Sequence, residues 1–312
     1  MSMFLQPPLK ISIRAKIVRW ITGALIKRID AKTAKVASLR RRWHGFSVIL
    51  RTVFGVKANR SAVQGLPALW MQPRRATDNK LLLYLHGGAY IMGNIATHRQ
   101  FVSFIAREAG VRALLPEYRL APEHRFPAAV EDAAGLYRAL LADGYAAEDI
   151  VVAGDSAGGG LTMAMLLALR DADDPLPAGA CLLSPWLDLA AAGETMTTRA
   201  ERDPWFKPQD MPIVADYYCE PGQRMNPLVS PVYADLSGLP PLYIQVGEEE
   251  ILLSDSTRAA DKVTAAGGEV ELEIWPGMWH VFQMFVYLMP EAKIATRKIG
   301  AYIRQVLRVA SP

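Results

Sequence analysis

The sequence predicts an α/β protein: a mostly parallel sheet with helices packed on both faces. Three observations predict it. Short β-like runs alternate with longer helical stretches, several of those runs are apolar almost throughout, and a Gly-x-Ser-x-Gly turn sits between one such run and the next helix.

Residues 81–86, 111–118, 150–154, 180–184, 242–247 and 270–275 read as strands. Near-continuous apolar runs are expected where a strand is buried on both faces. Helical spacing falls at about 97–109, 127–142, 157–171, 254–266 and 290–308. In the last of these Ile294, Ile299, Ile303 and Val306 mark the buried face. Residues 186–235 break the rhythm. They carry Pro204, Pro208, Pro212, Pro221, Pro227 and Pro231 together with Trp205, Phe206, Tyr217 and Tyr218. A long connection rich in aromatics reads as a functional cover over the sheet.

The chain has 312 residues and is 51% hydrophobic, enough for one large core. Cys181 lies in an apolar run as a small buried thiol, and with Cys219 it makes neither a disulfide framework nor a metal motif. Two unpaired cysteines fit a reducing, cytoplasmic setting.

Charge is uneven. The first sixty residues carry fourteen Lys or Arg against Asp30 alone, a balance of +13, which leaves −9 for the remainder. An acidic body excludes a general nucleic-acid binder. The front is not a membrane span, and its apolar run from Trp20 to Ile26 ends at Lys27 and Arg28 without a cleavage site. Ile13, Ile17, Ile21, Ala24 and Leu25 recur at helical spacing. This amphipathic helix is expected to pack on its own protein as part of a cap. The alternative is contact with an anionic membrane surface. Residues 1–60 therefore read as a helical cap segment and 61–312 as the main α/β domain, with 186–235 adding cap elements.

Chemistry concentrates at Gly154, Ser156 and Gly158. On a tight strand-to-helix turn the serine is exposed as a nucleophile, and the helix N-terminus favours a developing oxyanion. His86-Gly87-Gly88 ends an earlier strand, so Gly87 and Gly88 with Ala157 read as oxyanion donors. In this arrangement the acid and then the base follow the nucleophile. Of five histidines only His280 follows Ser156. The acid belongs after the strand at 242–247, where Glu250 leads, followed by Asp255 and then Asp188. Asp255 is expected to help start the next helix, and Asp155 to be a hydrogen-bonding neighbour of the nucleophile. Tyr90, Asp155, Trp205, Phe206 and Phe282 are candidates for the pocket. No metal cluster, phosphate loop or nicotinamide fingerprint competes.

HGGAY (86–90), EYRLAPEHRFPAA (117–129), GDSAGGG (154–160), SPVYADLSGLPPLYIQVG (230–247) and His280-Val281-Phe282, in that order, resemble the bacterial hormone-sensitive-lipase-like esterases, also called family IV, of the α/β-hydrolase superfamily. The likeness runs from about Gly65 to the C-terminus, and more loosely through the front. It implies an eight-stranded sheet with a helical cap. It also implies cofactor-free hydrolysis of short-to-medium acyl esters by Ser156, His280 and an acid at Glu250. The sequence departs at Ala89, where the motif usually has a third glycine, and at Glu250, where an aspartate is common. Arg119 and Glu123 look like a structural pair. The edge-like strand at 270–275 and the resemblance together imply a homodimer.

Overall fold

A computed structural model describes residues 10–26, 35–47 and 50–310. Eight strands form one sheet: β1 (Val56–Val63), β2 (Leu66–Pro73), β3 (Thr77–Leu85), β4 (Val111–Pro116), β5 (Ile150–Asp155), β6 (Gly179–Leu183), β7 (Leu242–Gly247) and β8 (Val270–Trp275). Their spatial order is β1-β2-β4-β3-β5-β6-β7-β8. β1 and β2 pair antiparallel, as do β2 and β4, and every pair from β4 to β8 is parallel.

Alternation along the strands builds two cores. Leu81, Leu83, Leu85, Ile150 and Val152 face α4 (Ala128–Ala142), α5 (Ala157–Asp171) and α8 (Leu253–Ala265). Leu82, Tyr84, Val151, Ala153 and Cys181 face α3 (Ile95–Ala109) and α9 (Pro290–Leu307). The five expected helices appear within two residues of their predicted starts and ends.

β1 and β2 have no counterpart in the pattern reading of six strands. β1 is exposed along most of its length, because an edge ribbon open on both faces has no apolar alternation to show. The boundary expected at residue 60 falls inside β1, so the sheet begins at Val56.

The rest lies around the C-terminal ends of the parallel strands. It comprises α1 (Ile13–Ile26), α2 (Val36–Ser47), and, within the long connection, α6 (Thr195–Thr198) and α7 (Met211–Tyr218). α1 docks through Ala15 and Val18 into a cluster holding Trp275, Trp279, Phe282 and Trp205. Ser12 donates to Glu291 of α9 from both its amide (2.6 Å) and its hydroxyl (3.0 Å). The apolar stripe expected to pack inward faces solvent instead: Ile13, Ile17, Ile21, Ala24 and Leu25 are exposed, and Trp20 beside them is exposed too. α2 is held by Arg40, which donates to the carbonyls of Ile91 and Ala121, both at 2.7 Å. Among the described residues, no helix is long and apolar enough to cross a membrane.

Candidate active site

Ser156 joins β5 to α5 at φ +53°, a left-handed value that a β-carbon makes costly. The turn is possible because its glycines are bare. A Cβ on Gly154 would collide with the Gly158 carbonyl, and one on Gly158 with the carbonyls of Leu85 and His86. The Ser156 amide is tied to Leu183 O at 2.8 Å, anchoring the elbow to β6.

Glu250 and His280 sit on the loops after β7 and β8. His280 Nδ1 meets Glu250 Oε2 at 2.9 Å. Glu250 Oε1 accepts from Gly247 N and from Ser184 Oγ, each at 2.6 Å. Ser184 directly follows β6 and accepts in turn from Val281 N at 3.1 Å. One hydroxyl therefore ties the acid to the residue after the histidine. Neither His280 Nε2 nor Ser156 Oγ forms a hydrogen bond with another described residue.

The structure takes the alternative acids elsewhere. Asp255 Oδ2 accepts from Leu187 N (2.8 Å) and Asp188 N (2.9 Å), pinning the loop after β6 rather than capping α8. Asp188 is bonded to Arg258 (2.6 Å) and to the Tyr233 hydroxyl (3.0 Å). The expected Arg119–Glu123 pair does not form. Arg119 binds Asp132 and Glu131 of α4, while Glu123 binds Arg40. Several carboxylates lie within chain reach of Arg119, and helix packing chooses among them.

Asp155 holds the floor of the site. Its Oδ1 accepts from the Tyr84 hydroxyl (2.8 Å) and from Gly87 N (3.0 Å), and His98 Nε2 lies 3.3 Å away. Burial alone would raise its carboxyl, but the His98 ring and these donors outweigh burial and keep it below the usual carboxylate range. Gly87's amide is thereby occupied and is not free for an oxyanion. The amides of Gly88 and Ala89 donate to no described residue. Ala157 opens α5, where first-turn amides have no helical partner.

The pocket candidates divide. Phe206 lies against His280 with ring centroids 4.7 Å apart, and Trp205 meets the same ring edge-on at 6.0 Å. Tyr90 is drawn into the core, stacked on Tyr218 at 3.8 Å. Phe282 packs on Trp275 at 5.3 Å, also buried.

Sequence reasoning missed Tyr84, His98, Ser184 and Asp203. Ser184 left a signal, as a lone polar residue ending an apolar strand beside the acid-bearing one. Asp203 left none. It is fully buried and accepts from Trp205 N, Phe206 N and Ile251 N at 2.8–3.0 Å. Its unpaired burial pushes its carboxyl up despite these three amides. Among the described residues, no three His, Cys, Asp or Glu side chains converge as a metal site.

A family described as the alpha/beta hydrolase fold matches residues 82–284. An acetyl-hydrolase of Streptomyces hygroscopicus is 44% identical over 237 residues, 76% of this chain and 79% of that protein. An esterase of Acinetobacter venetianus is 36% identical over 229 residues, 73% of this chain and 76% of its own length. A crystal structure of an esterase from the bacterial hormone-sensitive lipase family superposes with a TM-score of 0.90 at 41% identity, covering 96% of this chain and all of that one. With a family match over most of its length and relatives this similar, the chain belongs to the alpha/beta hydrolase fold family, in its hormone-sensitive-lipase-like branch, and is an esterase.

Proposed function

We propose that the enzyme hydrolyses carboxylic esters of short-to-medium acyl groups through a Ser156 acyl-enzyme. The observation that carries this is the Glu250–His280 contact, held by Ser184 and Gly247 on the loops beside the Ser156 elbow.

Ser156 Oγ attacks the ester carbonyl carbon while His280 Nε2 takes its proton. In this reading the Ser156–His280 hydrogen bond forms as substrate closes the site. Glu250 accepts the Nδ1 proton, holding the productive tautomer and stabilising the imidazolium. The negative oxygen is bound by the amides of Gly88, Ala89 and Ala157. This reading differs by one residue from the sequence expectation; what supports it is that the Gly87 amide donates to Asp155 Oδ1. Collapse expels the alcohol, which receives the proton from His280. Water, deprotonated by the same nitrogen, then attacks the acyl-enzyme and releases the acid. α1 and residues 186–235 act as a cap, with Trp205 and Phe206 as its inner wall. The acetyl-hydrolase named above, acting by its name on a two-carbon acyl group, supports the short acyl side.

Ser156→Ala tests the mechanism. The folded variant loses p-nitrophenyl butyrate hydrolysis and no longer labels with a fluorophosphonate. Near-native turnover by that variant would overturn the reading.

A further inference from the structure

α1 turns its apolar face away from the protein that holds it. At 3.6 residues per turn, Trp20, Ile13, Ala24, Ile17 and Ile21 fall within about 100° of arc. Ile13 is 76% exposed and Trp20 75%. Ala15, Val18 and Thr22 take the opposite side, where Ala15 is fully buried and Thr22 Oγ1 accepts from Trp205 Nε1 at 3.1 Å. Arg19 donates to Arg202 O at 2.7 Å and lies 3.6 Å from Glu249. These contacts, with Ser12 on Glu291, fix the rotation of the helix, so the stripe stays outward.

Charge selects the occupant. Arg14 and Lys16 border the stripe on either side and are exposed, and Lys10 lies one turn before. The first acid in the chain is Asp30. Apolar residues flanked on both sides by cations match an anionic interface, with aliphatic side chains and Trp20 entering the acyl boundary and cations meeting lipid phosphates. A 14-residue helix is about 21 Å long, shorter than a bilayer's hydrocarbon core, so it lies in the surface plane.

We propose that the outward face of α1 docks the enzyme onto an anionic phospholipid surface. The same helix bonds Trp205, which leans on the His280 ring. Docking therefore places the cap at the lipid–water boundary, where partitioned esters concentrate. The docking claim goes beyond the proposed hydrolysis and does not depend on it.

The test is co-sedimentation of the full chain with vesicles of phosphatidylcholine alone or mixed with phosphatidylglycerol. The wild type binds the mixed vesicles, and added salt weakens binding. The double variant I17E/W20E loses about tenfold or more of that binding, and so does R14E/K16E. Both keep wild-type thermal stability and p-nitrophenyl butyrate hydrolysis in vesicle-free buffer. The proposal is overturned if the wild type stays in the supernatant with mixed vesicles, or if I17E/W20E binds as well as wild type. It is equally overturned if sedimentation shows I17E/W20E splitting a dimer, which would assign the face to a second copy. Because binding is read without turnover, a failure of the Ser156 mechanism would leave this result standing.

Discussion

Glu250 accepts three hydrogen bonds, and they decide what an amide in its place would do. Oε1 takes Gly247 N and Ser184 Oγ, both donors, so a glutamine keeps its oxygen there and turns its NH₂ toward His280 Nδ1. That nitrogen must then accept, which puts the ring proton on Nε2 and leaves no base for Ser156. Glu250→Gln is expected to lower kcat by about 10³-fold or more, with a small change in KM and an unchanged urea midpoint. A kcat within severalfold of wild type would remove Glu250 from the triad.

Asp255, the runner-up for the acid, behaves differently. Burial, and then the charge of Asp188, push its carboxyl well above its ordinary value of 3.8. A raised folded value means the protonated form is favoured in the native state. That stability is complete below the unfolded value and is lost as pH rises through the folded one. Asparagine mimics the protonated acid and still accepts from Leu187 N and Asp188 N. Asp255→Asn should therefore gain stability relative to wild type as pH rises above the ordinary value of 3.8, with kcat retained. Urea midpoints across that range check it, and a gap that does not change with pH would refute it.

Among the elements, the segment between α6 and α7 is organised by one buried carboxylate. Asp203 Oδ1 gathers the amides of Trp205 and Phe206, and Oδ2 takes Ile251 N, next to Glu250. It thus joins the aromatic wall over His280 to the acid loop, while Arg202 adds an ion pair to Glu249. Asp203→Ala leaves three buried amides without acceptors, at roughly 1–3 kcal/mol each before the loop relaxes. The expected result is a loss of at least about 2 kcal/mol in chemical denaturation and a KM for short-chain esters that rises more than kcat falls. A variant with wild-type stability and KM would show the anchoring to be idle.

Across the whole molecule, the proposed reacting groups lie beside those aromatics. Ser156 is 8% exposed and His280 2%. With both groups this buried, an acyl chain reaching them is expected to fill a closed space, where each methylene contributes about 0.8 kcal/mol only while apolar surface remains to be buried. Specificity for p-nitrophenyl esters should rise from acetyl to a maximum below about eight carbons, then fall about tenfold or more by palmitoyl as added methylenes meet the wall. A kcat/KM still climbing at palmitoyl would mean an open groove.

Much of this was legible beforehand because it rests on local chemistry. Strands buried on both faces must be apolar almost throughout, so β5 to β7 and the apolar half of β3 could be read directly, whereas β8 showed the alternation of an edge. The elbow needs glycines wherever it occurs, so Gly154, Ser156 and Gly158 marked it, and chain order left His280 as the one histidine after Ser156. Other features depend on direction in space. Periodicity established that α1 has two faces, but packing against Trp205 and α9 chose which was buried, and it chose the side opposite the apolar stripe. Arg119 had several acids within chain reach, and the seating of α4 gave it Asp132 and Glu131. Gly87 and Gly88 look alike in sequence, yet one amide points at Asp155 and the other does not. Asp203 is one acid among many until the fold brings three orphan amides around it. Composition and spacing set what a segment can form, while a hydrogen bond between distant segments has a direction that exists only once the chain is packed.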